Sequence, residues 1–130
     1  MIYCRFFILI ISTCLIQGLL LSQQPWIAPS TAKSLKNPIA DNTQSLSVSI
    51  EIFKVQCLMC HGKKGKGDGF AGVAITPRPA DFTKSVVQNQ SDGEIYWKLS
   101  NGRAPMAGYK EILSEKELWG LVNYIRSLKK

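Results

Sequence analysis

Histidine and cysteine are scarce in this 130-residue chain, which has one histidine, His61, and four cysteines. Two of the cysteines, Cys4 and Cys14, fall in an apolar N-terminal run, so the rest of the chain keeps only Cys57 and Cys60. A small disulfide scaffold needs several bridges, and a structural zinc site needs four Cys or His ligands. The composition therefore excludes a disulfide scaffold and argues against structural zinc.

Alternation of apolar and polar residues is also lacking, so no β-strand of useful length is predicted. Three segments instead have helical signals: 47–55, 91–102 and 114–130. Ser91 with Glu94, and Ser114 with Glu117, have the spacing of capping boxes at helix starts. The apolar stripes predicted to face the core are Val48, Ile52 and Val55 beside Phe53, and Leu118, Leu121, Val122, Ile125 and Leu128. The sequence therefore predicts an all-α domain.

The N-terminal part of the chain has the pattern of an export signal. Arg5 precedes an apolar run, Phe6–Leu21, which is slightly shorter than the roughly 17–25 residues of a membrane-spanning helix. Residues 1–21 are therefore predicted to be a signal peptide or an N-terminal membrane anchor, with a lipid-bearing Cys14 as a third alternative. Residues 22–45, rich in Pro, Ser, Asn and Gln, are predicted to be a flexible linker, and residues 46–130 the folded domain.

A glycine pattern in the middle of the chain is expected to be a loop. Residues 67–72, GDGFAG, match G-x-G-x-x-G. A dinucleotide site needs this pattern directly after a buried strand and at the start of a helix, whereas the preceding HGKKGK is polar and basic. We therefore interpret residues 62–87 as a glycine-rich loop with at most a short helix.

The motif CLMCH, residues 57–61, is the strongest chemical signal in the sequence. A thioredoxin-like pair would lie near a βαβ pattern, which is missing, whereas C-x-x-C-H is the attachment motif of a c-type haem. Cys57 and Cys60 would then bond the haem, and His61 would face its iron. Met106, in NGRAPMAGYK, is the remaining candidate for the opposite axial ligand, because Met1 lies in the leader and Met59 lies inside the motif. Core packing is the alternative role for Met106.

Together these segments resemble a small monohaem class I cytochrome c, over about residues 46–129. The resemblance implies an all-α bundle of about three to four helices around one covalent haem c and its iron, with electron transfer as the activity. It also implies that a proline carbonyl orients His61, with Pro77 as the candidate and Pro79 in reserve. Members often have glycine where this chain has Ser49, so Gly120 is expected to give the clearance between the first and last helices.

The charge of the chain bears on its partners. The formal net charge is +7, and removing Arg5 with the leader would make it +6. Basic residues in or near the predicted haem-edge loops favour an acidic-faced redox partner: Lys63, Lys64, Lys66, Lys84, Arg103 and Lys110. A solvated face without a role is the alternative. No nucleic-acid-reading motif is present.

The function predicted from the sequence is that of an exported monohaem electron carrier, not an enzyme, in the periplasm or on the outer face of the cytoplasmic membrane. Two alternatives stay open. One is a fixed haem subunit of a membrane respiratory complex, which an N-terminal anchor would suit. The other is a haem enzyme or gas sensor with an open iron position.

Overall fold

The structure, a computed structural model, describes residues 25–39 and 43–130, and its regular secondary structure in these ranges is helical. The α-helices are α1 (Ser30–Lys33), α2 (Thr43–Gln56), α3 (Leu58–His61), α4 (Ser85–Gln88), α5 (Asp92–Asn101) and α6 (Glu115–Ser127), with a 3-10 turn at Gly72–Ala74. The only extended pairing in the described ranges is an isolated bridge between Arg103 and Met106. The predicted all-α fold is confirmed, while the predicted leader lies outside the described residues.

Helices α2 and α6 cross closely at Gly120 and Ser49. A Cβ atom on Gly120 would lie 2.6 Å from Oγ of Ser49, which is too short for an ordinary contact. Ser49 is buried, and its hydroxyl donates a hydrogen bond of 2.8 Å to the carbonyl of Ser45 one turn earlier. The prediction that Gly120 supplies the clearance at this crossing is confirmed.

The buried face of α2 matches the predicted stripe only in part: Phe53 is buried and Ile52 is partly buried against the core, but the two valines are not. Val48 and Val55 are 51% and 78% exposed, whereas Ser49 and Phe53, which are four residues apart, are each 2% exposed. Cys57 continues this buried face one turn later. The stripe was placed about one residue out of phase, because α2 has apolar residues on both sides and only its contact with α6 selects one of them.

Both predicted capping boxes are present. The hydroxyls of Ser91 and Ser114 accept hydrogen bonds from the backbone N–H groups of Glu94 and Glu117, whose carboxylates accept from the backbones of the two serines. The start of α5 and the start of α6 are thereby fixed by local sequence. Helix α5 ends at Gly102, whose φ of +64° is one that L side chains rarely adopt.

Helix α6 is buried on nearly all sides. The predicted stripe is confirmed for Leu118, Leu121, Val122 and Ile125, which are 0–2% exposed, and Leu128 is partly buried. Trp119 and Asn123, on another side of the helix, are also buried. Part of their cover comes from residues 25–39, which we call the strap, because Asn37 Nδ2 donates to the Trp119 carbonyl at 3.3 Å and to Asn123 Oδ1 at 2.6 Å.

The strap also packs against α5. Ala28 and Ala32 are 7% and 2% exposed, and α1 within the strap contacts α5. The contact is close because Gly93 has no side chain: a Cβ atom there would collide with the Ala32 carbonyl oxygen and lie 2.8 Å from Leu35 Cβ. The strap lies inside the predicted linker, and its polar composition gave no sign of this packing. The division at residues 22 and 46 itself stays a prediction.

The glycine-rich loop wraps over the CLMCH turn. Cβ atoms on Gly69 and Gly72 would collide with the backbone carbonyl oxygens of Met59 and Cys60, respectively. In the described ranges no strand precedes the G-x-G-x-x-G match, so these glycines serve the close approach of two backbone segments.

No helix within the described residues is long and apolar enough to cross a membrane.

Candidate functional site

The CLMCH turn continues directly from α2. The backbone N–H of Cys57 donates to the Phe53 carbonyl at 2.9 Å, and those of Cys60 and His61 donate to the Cys57 carbonyl at 3.1 and 2.9 Å. These helical bonds bring both thiols and the imidazole to one cavity, which all three side chains line. The three residues that the motif predicted to act together therefore lie at a single site.

The cavity has a volume of about 470 Å³ and extends from the CLMCH turn to the loop that contains Met106. Its apolar wall comes from buried residues of four segments: Phe53, Phe82, Ile95, Leu99, Leu121 and Ile125. Pro77 and Pro79 also line it. A volume of a few hundred cubic ångströms with mostly apolar walls is typical of a small-molecule or cofactor site.

His61 is 7% exposed and is held from two sides. Its Nδ1 atom lies 3.2 Å from the Ala80 carbonyl oxygen, and its ring stacks on Phe82 with centroids 4.3 Å apart. Burial lowers the pKa of His61, and the bond to Ala80 raises it to a lesser degree. A neutral ring that donates from Nδ1 keeps the lone pair of Nε2 for a metal.

The partner of His61 differs from the predicted one. Pro77 and Pro79 line the cavity, but the carbonyl within hydrogen-bonding distance of His61 is that of Ala80. A backbone carbonyl is present at every residue, so its role depends on the path of the loop and not on the residue type. The sequence carried no signal that could have selected Ala80.

The surroundings of Cys57 are not those of a redox-active thiol. Burial, with a smaller effect from Cys60, raises the pKa of Cys57 to about 11. A reactive or redox-active cysteine needs the opposite, a lowered pKa that supplies thiolate at neutral pH. The surroundings of Cys57 therefore favour a cysteine that is used structurally or covalently over one that exchanges electrons itself.

Met106 is half-buried in a tight loop and lines the same cavity as His61. Arg103 and Met106 exchange backbone hydrogen bonds of 3.0 and 2.9 Å, which close the loop. Gly102 and Gly108 meet at its base, where a Cβ on Gly102 would collide with the Gly108 nitrogen. The loop thus presents the thioether to the cavity on a short and well-supported turn.

Tyr109 anchors this loop to α2. Its side chain is buried, lines the cavity and donates a hydrogen bond of 3.0 Å to the carbonyl of Gln56, the residue before Cys57. Tyr109 thereby ties the Met106 loop to the start of the CLMCH turn. Tyr109 lies five residues before the predicted last-helix segment, and its anchoring role was not recognised from the sequence.

The charges around the cavity are of one sign. Among the described residues that line it, the cationic side chains are Arg78, Lys98 and Arg103, and none is Asp or Glu. A ligand with an apolar body and carboxylate groups would match this distribution, because the walls would bury the body and the cations would pair with the acids.

Haem c has these properties, and the residues present fit it. Two thiols beside a histidine with a free Nε2 provide attachment and ligation, the walls are apolar, and the cations suit the two propionates. The fit rests on the chemistry of the lining side chains.

The family model of cytochrome c matches residues 50–129. The chain belongs to the cytochrome c family. Its cofactor is accordingly a covalently bound haem c with iron, for which Cys57 and Cys60 stand at the attachment motif. No curated protein matches the chain.

Two solved structures resemble this cytochrome. One is a chain of the Kuenenia stuttgartiensis reducing HAO-like protein complex Kustc0457/Kustc0458, with 26% identity and a TM-score of 0.63 over 83% of this cytochrome and 52% of that chain. The other is the KustC0563 c-type cytochrome, with 27% identity and a TM-score of 0.55 over 63% of this cytochrome and 98% of that protein. This cytochrome thus spans about half the length of the complex chain. That likeness covers more than residues 50–129 alone and therefore includes residues before Ile50.

Proposed function

We propose that this haem electron-transfer protein is an exported single-electron carrier whose iron is held by His61 and Met106. The observation that carries the proposal is that both side chains line one cavity together with both cysteines of the attachment motif. The bound haem supplies the one-electron chemistry. His61, fixed by Ala80 and Phe82, and Met106, on its closed loop, would hold the iron on two sides and leave little to rearrange when the charge changes.

Covalent attachment is tested by acid–acetone extraction. Thioether bonds from Cys57 and Cys60 would retain the haem in the protein, because they do not dissociate. The variant Cys57→Ala/Cys60→Ala should release all its haem under the same treatment. Free extraction of haem from correctly matured wild-type protein would contradict the assignment.

The ligand Met106 is tested by spectroscopy. The oxidised protein should show the weak sulfur-to-iron band near the red end of the visible spectrum, and Met106→Ala should abolish it. Met59→Ala is the matched control, since Met59 is 61% exposed and does not line the cavity. Rapid binding of carbon monoxide by reduced wild-type protein would show an open position and would favour the haem enzyme or gas sensor instead.

The partner is proposed to be a redox protein with an acidic face. Lys63, Lys64 and Lys66 are exposed and follow the CLMCH turn directly. Beside them a shallow hollow of about 360 Å³ is lined by Met59, Phe70, Lys63 and one acidic residue, Asp68, among others, and Phe70 is 88% exposed. An apolar centre with a charged rim is the usual anatomy of a transient protein interface. Charges at the rim chiefly raise the association rate.

Salt dependence tests this surface. The Debye length falls from about 10 Å at 0.1 M salt to about 3 Å at 1 M, so electron transfer with the native partner should slow as salt rises. Charge reversal at Lys63, Lys64 and Lys66 should slow it at low salt and leave the haem spectrum unchanged. Lys116→Glu is the control, an exposed lysine outside this surface. A rate indifferent to both changes would indicate apolar docking.

A fixed subunit of a larger redox complex is the second candidate function. It is favoured by the likeness to a chain that belongs to a protein complex and by the anchor-like N-terminal run. Retention on membranes after a high-salt wash, with co-purification of redox proteins in detergent, would support it. An intact mass that begins near residue 22 or later, without lipid, would support export as a free carrier.

A further inference from the structure

The strap reaches the haem cavity with one side chain, Trp26. Residues 25–39 lie outside the region that the family model matches, yet Trp26 lines the cavity together with residues of the cytochrome domain. Its ring is half-buried, whereas the next residue, Ile27, is 76% exposed. The cavity wall is therefore completed by a residue that no haem motif contains.

Two cations hold the Trp26 ring. Lys98 Nζ lies 5.5 Å from the ring centroid and Arg103 Cζ lies 5.2 Å from it, both within the range of cation–π attraction. Lys98 also donates a hydrogen bond of 2.6 Å to Gln90 Oε1, and both cations line the cavity. The indole therefore lies against two of the three cationic side chains that line the cavity.

The strap is anchored by residues that follow Trp26. Ala28 and Ala32 are buried, Ala32 lies against Gly93 where a Cβ would collide with its carbonyl oxygen, and Asn37 is bonded to Asn123 at 2.6 Å. Such contacts order the segment before any ligand is considered. Trp26 is thus presented on a fixed backbone and not on a free tail.

We propose that the strap is part of the haem site, in which Trp26, Lys98 and Arg103 form the wall over the carboxylate edge of the haem. Thioether bonds to Cys57 and Cys60 fix the vinyl edge at the CLMCH turn, so the carboxylates lie at the opposite edge of the ring. Lys98 and Arg103 pair with that edge, and the indole covers the cations and keeps water from it. The inference rests on the proposed haem site.

The expected effect is on the reduction potential. Water that reaches the haem edge stabilises the more highly charged ferric form, so Trp26→Ala should lower the midpoint potential. The ferrous-to-ferric ratio at a fixed ambient potential should fall by about tenfold, a shift of about 59 mV for one electron. Spectroelectrochemical titration of the purified full-length haem protein measures this change.

Three further variants identify the cause. Ile27→Ala is the matched control and should keep the wild-type potential, and Trp26→Phe, which retains a flat ring, should recover most of the loss. Gly93→Ala adds a methyl group against Ala32, so it should displace the strap and lower the potential although Trp26 is intact. Thermal unfolding of each variant is recorded beside its potential.

An unchanged midpoint potential in Trp26→Ala would overturn the inference. This holds even if the unfolding temperature of the variant falls, because the strap would then contribute only to stability. The wild-type protein separates this outcome from failure of the proposed function. A wild type without covalent haem overturns the haem site and the inference with it. If the wild type has covalent haem and the methionine band but the midpoint potential of Trp26→Ala is unchanged, only the role of Trp26 is overturned.

Discussion

Replacement of Gly120 by alanine is expected to destabilise the protein, although alanine is the better helix former by about 1 kcal/mol. The reason lies at the crossing of α2 and α6. The new Cβ atom would lie 2.6 Å from Ser49 Oγ. Ser49 is 2% exposed, so its hydroxyl has no open space into which it could turn.

The size of the destabilisation depends on how Ser49 is displaced by the new methyl group. If the hydroxyl turns away, it loses its 2.8 Å bond to the Ser45 carbonyl and is buried unpaired, which costs about 1–3 kcal/mol. If the helices separate instead, the strain is of similar size, about 1–3 kcal/mol. After the gain in helix propensity is subtracted, Gly120→Ala should lower the free energy of unfolding by up to about 2 kcal/mol.

A double-mutant cycle tests this account. In Ser49→Ala/Gly120→Ala the nearest side-chain atom to the new methyl group is the Cβ of residue 49, at 3.9 Å, an ordinary contact. The double variant should therefore recover stability, with a coupling energy of about 1–3 kcal/mol between the two sites.

The cycle is measured by denaturant unfolding of the haem-loaded protein, followed by far-ultraviolet circular dichroism. Ser47→Ala is the control for the serine change, because Ser47 is exposed on the same helix and its hydroxyl donates to the Gln44 carbonyl. If Gly120→Ala is as stable as the wild type or more stable, the crossing is looser than described and the explanation fails.

The remaining predictions concern one helix start and one loop anchor. Ser114→Ala removes the N-cap of α6 and should cost about 1 kcal/mol, or roughly 4–8 °C in unfolding temperature; no loss would mean that the cap is redundant. The hydrogen bonds from Ser114 lower the pKa of Glu117, so its stabilising contribution is present above its unfolded pKa and is lost as pH falls through the lower folded pKa. The stability difference between neutral pH and about pH 3 should therefore be smaller in Glu117→Gln, and an equal difference would contradict this. Tyr109→Phe loses the bond to the Gln56 carbonyl and should lower the unfolding free energy by about 1 kcal/mol, whereas an unchanged value would remove its anchoring role.

Features that depend on neighbouring residues were predictable from the sequence. The capping boxes, the end of α5 at Gly102 and the stripe of α6 each depend on residues within about one turn of each other. The CLMCH motif is local in the same sense. It places both cysteines and His61 at one cavity, and it needs only a helical turn to do so.

Other features, which depend on how distant segments meet, were not predictable from the sequence. Val48 and Val55 are exposed because another face of α2 packs against α6. Ser49 is tolerated there because its hydroxyl is satisfied by its own helix. The partnership of His61 with Ala80 depends on the path of a glycine-rich loop, since carbonyl groups are alike at every residue.

The strap escaped prediction for a related reason. It is anchored by small residues and by an asparagine, and none of these forms an apolar period. Ala32 packs because it is small enough to lie against Gly93, and Asn37 packs because Asn123 is buried opposite it. Its polar composition therefore led to the prediction of a linker, although the segment packs through close backbone contacts and hydrogen bonds.

The cavity connects the stability of the domain to its cofactor. Phe53, Ile95, Leu99 and Leu121 belong to the hydrophobic core and also line the cavity, so the core and the haem site share one set of side chains. Apolar walls around a space of about 470 Å³ leave part of the core in contact with solvent unless a ligand occupies the space, so we expect haem to complete the core. A Cys57→Ala/Cys60→Ala protein stripped of haem should lose its near-ultraviolet circular dichroism and bind the dye ANS, and a native-like spectrum without haem would show that the walls close on their own.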